Sequence, residues 1–219
     1  MEEDASLRMI GALLPAPTEP EHGSNADSTP TPGGARTVTA RGGLSAHTLG
    51  TTHASGTSTT APTGAAALGI TSLEREFMLK LAGAVGKSPR RLKRFVNSYR
   101  ILKASCDALE MEEFVIGDGE SGTYPSAMML LAVTTGAPQS AIDFLRAVAD
   151  PNRVASIEDI DKLVDGLSIG SEVEAEAEYL RAGLQVYKER KQTVDEAAIR
   201  ELRYWAPRVA RFSFRSGRA

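Results

Sequence analysis

From Ile70 onward, apolar residues recur three and four positions apart, the spacing that lays one stripe along a helix. The capping box Thr71-Ser72-Leu73-Glu74 opens a run carrying Leu73, Phe77, Leu81, Ala84 and Val85, and Gly86 ends it. Ser88 then stands where a cap belongs. Pro89 takes the first helical position, where its missing N–H costs nothing. Leu92, Phe95, Val96, Tyr99 and Leu102 share one face of that second helix. Tyr124-Pro125 opens a third, whose Met128, Met129, Leu130, Leu131 and Val133 leave no polar side before Gly136. Such a helix belongs inside a core, and its Met pair reads as packing. Pro138 starts the next, with Ile142, Phe144, Leu145 and Val148 and a stop at Asp150-Pro151. Ser156 is expected to cap a helix through Leu167 that uses Ile157, Ile160, Leu163 and Val164. Glu172 to Gln192 turns Val173, Ala177, Leu180, Leu184 and Tyr187 inward. Thr193-Val194-Asp195-Glu196 reads as a second capping box, before Ile199, Leu202, Trp205 and Val209. No segment supports a strand. The pattern predicts an all-α fold, a helical bundle of roughly six to eight helices after a disordered low-complexity linker.

The N-terminal part differs. Glu2 to Leu14 reads as a short amphipathic helix with Leu7, Ile10, Leu13 and Leu14 on one side, stopped by Pro15. Of the 53 residues from 15 to 67, 41 are Ser, Thr, Gly, Ala or Pro, too few apolar groups to offset the entropy of ordering them. That segment is expected to be a disordered linker. It holds all three histidines, His22, His47 and His53, at irregular spacing and without a cysteine partner, which makes a poor metal site.

Composition narrows the class. With 219 residues there is room for one good core or two small ones, and the single cysteine, Cys106, excludes an internal disulfide framework. A reducing cytoplasm suits such a chain. No run of about 18 apolar residues could span a membrane. Met1-Glu2-Glu3-Asp4 is acidic, unlike a secretory or transit peptide. The net charge of −3 conceals a partition: residues 87–103 carry +7, residues 104–155 and 156–201 carry −6 each, and residues 202–219 carry +5. The acidic half is placed to neutralise the basic helix, which weighs against nucleic acid as a partner.

Within the basic helix, Arg90, Arg94, Asn97 and Ile101 fall opposite the apolar face. Basic groups at a helix start oppose the macrodipole, so helix stability does not explain Arg90 and Arg91. A bound anion would: free amides at a helix N-terminus together with guanidinium forks make a phosphate site. A merely solvated basic face accounts for the same residues. Gly86-Lys87-Ser88 imitates the tail of a Walker A motif. The position five before Gly86 is Leu81 where that motif needs glycine, and Pro89 follows. No apolar strand ends in paired acids to form a Walker B. The acidic loop Gly117-Asp118-Gly119-Glu120-Ser121-Gly122 fails the calcium-loop spacing and reads as a turn. The glutamates Glu172, Glu174, Glu176 and Glu178 suit the positive end of their helix dipole and read as solvated structure. Arg208 to Arg218, with Phe212 and Phe214 interleaved, reads as a basic tail.

The series Ser88-Pro89-Arg90-Arg91 with Lys93, Arg94, Phe95, Asn97, Tyr99 and Arg100 resembles the helix after the nucleotide-binding core in the KAP family of P-loop NTPases. These are bacterial and animal ATPases of the STAND group. Glu2–Leu14 resembles the end of that core, and Tyr124 through Pro138 resembles the tail of such proteins. The resemblance covers Glu2–Leu14 and Ile70–Pro207. It implies a short helix at 1–14 left from the end of the core and a helical lid or C-terminal domain at 70–207, while the linker at 15–67 and the basic tail at 208–219 lie outside it. It also implies that Arg90, Arg91, Arg94 and Asn97 face nucleotide phosphates. ATP and magnesium would be held only by a P-loop core, in cis or in trans, which this sequence does not contain. Met1 is then expected to be an internal methionine of a longer ancestor, or the start of a gene read too late. Two functions stay open. The chain is the lid or signalling region of a KAP-like NTPase, or a freestanding helical module whose basic helix meets nucleic acid or an acidic protein partner. On neither reading is it an ATPase by itself.

Overall fold

An apolar run with no polar side can bury every residue only by sitting at the centre of a bundle. The computed structural model describes residues 69–115, 122–166 and 171–213, together with Arg8, Gly11 and Ala12. Its helices are α1 (Ser72–Lys80), α2 (Ala82–Val85), α3 (Pro89–Ala104), α4 (Ala108–Val115), α5 (Tyr124–Gly136), α6 (Ala141–Ala149), α7 (Ile157–Gly166), α8 (Ser171–Lys191) and α9 (Glu196–Ala210). The fold is all-α, with no strand among the described residues. Every residue of α5 is buried. It packs against α1, α2, α3, α6, α8 and α9, so the core is built around it. None of these helices is long and apolar enough to cross a membrane.

Two glycines let backbones approach. A Cβ at Gly136 would stand 1.9 Å from the Ala84 carbonyl oxygen, and one at Gly183 would stand 2.6 Å from Val133 Cγ1. Contacts under about 3 Å cannot be accommodated by a close-packed interior. Polar groups inside α5 are tied locally. Thr134 and Thr135 donate to the carbonyls of Leu130 and Leu131, at 2.6 and 2.8 Å. Ser126 donates to Glu201 at 2.6 Å and meets the Tyr187 hydroxyl at 2.9 Å.

The nine helices among the described residues exceed the expected six to eight because Leu81 breaks the first run into α1 and α2, and because α4 forms a separate helix. The capping box at Thr71 is present in both directions. Its first apolar residue is not inward: Leu73 is 55% exposed, and Glu74 takes the buried position of that turn. Ser88 occupies the cap position of α3, yet its side chain makes no capping bond. The last helix is capped by Asp195, which accepts from the Ala198 amide at 2.9 Å, not by Thr193. Thr193 lies instead in the turn leaving α8, where Gln192 has φ 58°. Pro138 lies in a turn, and α6 begins at Ala141. Arg208 is helical and belongs to α9, so the basic tail starts later than residue 208.

Glu176 corrects the reading of its helix as lined with solvated acids. It is 8% exposed and accepts from the amides of Gln139 and Ser140, at 3.1 and 2.7 Å. A carboxylate of α8 thus caps the N-terminus of α6 from a distance in sequence. Glu174 and Glu178 are exposed as expected. In the N-terminal segment, Arg8, Gly11 and Ala12 are helical, and Arg75 donates to the Gly11 carbonyl at 3.1 Å. The expected linker at 15–67 with its three histidines, most of the acidic loop, and residues 214–219 lie outside the described residues.

Candidate phosphate-binding site

The chain reaches α3 through Gly86, whose φ of 90° suits glycine, and through Lys87 and Ser88. The first backbone bond into the helix runs from the Leu92 amide to the Ser88 carbonyl at 3.0 Å. Helix geometry therefore leaves the amides of Arg90 and Arg91 without intrahelical acceptors. No acid lies in the first turn. A positive helix end is surrounded here by positive side chains.

The structure separates the four candidate residues by what they touch. Arg90 and Asn97 are exposed on the outer face of α3. Arg91 is half-buried. One of its Nη atoms donates to the Gly136 carbonyl at 3.3 Å, and its guanidinium lies 5.8 Å from the centroid of the Tyr179 ring. A Cβ at Gly86 would come within 3.3 Å of the same nitrogen, so glycine there also leaves room for the guanidinium. Arg91 thereby ties α3 to the end of α5 and to α8. Arg94, also half-buried, donates to the carbonyl of Phe212, just past α9, at 3.1 Å. Burial lowers its pKa, and the charges of Arg90 and Arg91 lower it further. Three guanidiniums therefore share one electrostatic neighbourhood, and two of them are oriented by neutral carbonyls. An arginine has five N–H donors, more than one bond to a carbonyl uses.

At the other end of α3 the charge is handled differently. Lys103 is 3% exposed, and its ammonium lies 2.8 Å from both carboxylate oxygens of Glu74 and 2.7 Å from the Gly69 carbonyl. Tyr99 donates its hydroxyl to Glu74 as well. Burial, followed by the Glu74 charge, holds the Tyr99 phenol well above its ordinary pKa. Each side-chain polar atom of this Glu74–Tyr99–Lys103 cluster has a partner, as a low-dielectric interior requires. Lys103 lies seven residues after Val96 and Glu74 seven before Leu81, which sets both on apolar faces.

Elsewhere four acids that follow α3 pair with cations outside that helix. Asp161 pairs with Lys188 at 2.7 Å, Asp165 with Arg181 at 3.2 Å, Glu201 with Lys191 at 2.9 Å and Glu110 with Arg208 at 2.8 Å. Arg208 also lies 4.0 Å from the centroid of the Tyr204 ring, and Tyr204 donates to Glu110 at 2.6 Å. Cys106 nearby is half-buried, and burial pushes its thiol up to about 11, which keeps it protonated and unreactive near neutrality. Comparison with family models, curated proteins and solved structures finds no match to this chain.

Proposed function

We propose that this bundle is a phosphate-contacting accessory module. The N-terminus of α3 meets the phosphates of a nucleotide whose P-loop and magnesium site are supplied by another segment or chain, as in the lid of a KAP-like NTPase. One observation carries the reading. A helix start with two amides lacking helical acceptors, no capping side chain and no acid in its first turn gathers Arg90, Arg91 and Arg94. Without an anion, that arrangement opposes the helix dipole. With one, the amides and guanidiniums act together. Arg90 supplies an exposed fork, Arg91 and Arg94 supply pre-oriented ones, and Asn97 a neutral donor one turn further along.

The test is a backbone amide titration of the whole chain with inorganic pyrophosphate and with ATP at low salt. The Arg90 and Arg91 amides should move in a saturable way, and Arg90→Ala should weaken binding about tenfold or more. Resonances that stay still at millimolar ligand, or an unchanged Arg90→Ala titration, would reject the reading.

Ile101 favours a second reading. It is 59% exposed on the same outer face as Arg90 and Asn97. Arginine beside an apolar residue is the composition of protein interfaces, so the face would meet an acidic protein partner. Ile101→Glu separates the two: it leaves pyrophosphate binding intact and removes such a partner.

A further inference from the structure

Helices α6 and α9 leave an open groove of about 570 Å³ between them. Its walls are Ile142, Leu145, Ala149, Pro207 and Ala210, with exposed Arg146 and Arg211 alongside and no carboxylate among the lining residues. Pro207 stands inside α9, where proline removes a helical hydrogen bond, and it lines the groove while still exposed. Arg146 pairs with exposed Asp143 at 3.7 Å, a contact weak enough to exchange. Ser213 also lines the groove. The walls are apolar, and the charged residues among the lining are Arg146 and Arg211.

We propose that this groove binds a small amphipathic anion, an apolar body carrying one carboxylate or phosphate head. Size decides against a protein. Ile142 to Ala149 spans about 10 Å at the helical rise, and the volume falls in the range of about 300–1,000 Å³ typical of small-molecule sites. A stable protein interface needs about 800 Å² on each side. Charge decides the head group, because arginine forks match the oxygens of carboxylate and phosphate alike. The inference stands apart from the reading of α3.

The experiment is calorimetric titration of the full chain with decanoate, decyl phosphate and decanol below their aggregation limits. Saturable one-to-one binding is expected for at least one anion, about tenfold or more tighter than for decanol. The tighter anion identifies the head. The double variant Arg146→Ala/Arg211→Ala should fall to the level of decanol. Ala210→Trp should fill the groove and abolish binding without changing the melting temperature. Should that variant fail to fold, Ile142→Glu at a half-buried position serves instead by repelling the anion. Absence of saturable binding, equal affinity for decanol, or full binding by the filled variant would each overturn the proposal. So would a concentration-dependent dimer that Ala210→Trp dissolves, since a second copy would then own the groove.

Discussion

The two ends of α3 carry the same kind of residue under opposite conditions. At its start, Arg90 is exposed while Arg91 and Arg94 lean on neutral carbonyls, with no acid in the turn. At its end, Lys103 is enclosed with Glu74 and Tyr99. The contrast teaches that a cation's role is set by its acceptor and its burial, not by the charge of the helix around it. An enclosed ion pair stabilises only while it is complete, whereas charges crowded at a surface remain available to a ligand.

Breaking the enclosed end should have the largest effect. Glu74→Ala leaves an ammonium buried without its counter-ion and should cost about 3–5 kcal/mol, read by denaturant unfolding. Glu74→Leu combined with Lys103→Met should restore most of that loss, and a double variant no better than the single one would contradict the cluster. Alkaline titration comes next. Burial raises the phenol pKa of Tyr99, Tyr124 and Tyr187 in the folded chain, while unfolded tyrosine ionises near pH ~10. The folded state therefore holds protons that the unfolded state releases. Stability should be intact below about pH 10 and fall above it, by up to ~1.4 kcal/mol per pH unit for each tyrosine. Phenolate absorbance exceeding that of the two less buried tyrosines, Tyr179 and Tyr204, before the chain unfolds would contradict this.

The open end of α3 should respond weakly and unevenly. Arg91→Ala removes the bond to Gly136 and the contact with Tyr179, and is expected to cost about 1–2 kcal/mol. Arg90→Ala should change stability by less than about 0.5 kcal/mol, the usual value for an exposed position, while lowering pyrophosphate affinity. Thermal melts of the two variants sharpen the distinction between a guanidinium that holds helices together and one left for a ligand. Equal melting temperatures would erase it.

Periodicity made the helices and most of their inward faces legible. Leu92, Phe95, Val96, Tyr99 and Leu102 are all buried, and the apolar run in α5 is the centre of the core. The failures occurred where a polar residue claimed an inward or capping place. Glu74 displaced Leu73 because its charge is satisfied by Lys103, a partner 29 residues away. Asp195 displaced Thr193 because the turn ending α8 is still closing there: the Thr193 amide bonds the Lys191 carbonyl at 2.6 Å. Glu176 capping α6 depends on how two helices pack, which local pattern does not encode. The four candidate residues were readable as neighbours along one helix. Their division into anchored Arg91 and Arg94 and exposed Arg90 and Asn97 was not, because the anchors are carbonyls distant in sequence, Gly136 at the end of α5 and Phe212 beyond α9.

The bond from Lys103 to Gly69 has a mechanical meaning. Gly69 precedes α1, and its carbonyl is held at 2.7 Å by an ammonium that is itself locked to Glu74 of that helix. Tension arriving along the polypeptide from residue 68 meets this clamp before it can peel α1 from the bundle, so the load is shared with α3 in shear. Handles, labels or fused domains attached ahead of Gly69 should pull on the bundle as one body, with the clamp as the last part to yield before the helices separate.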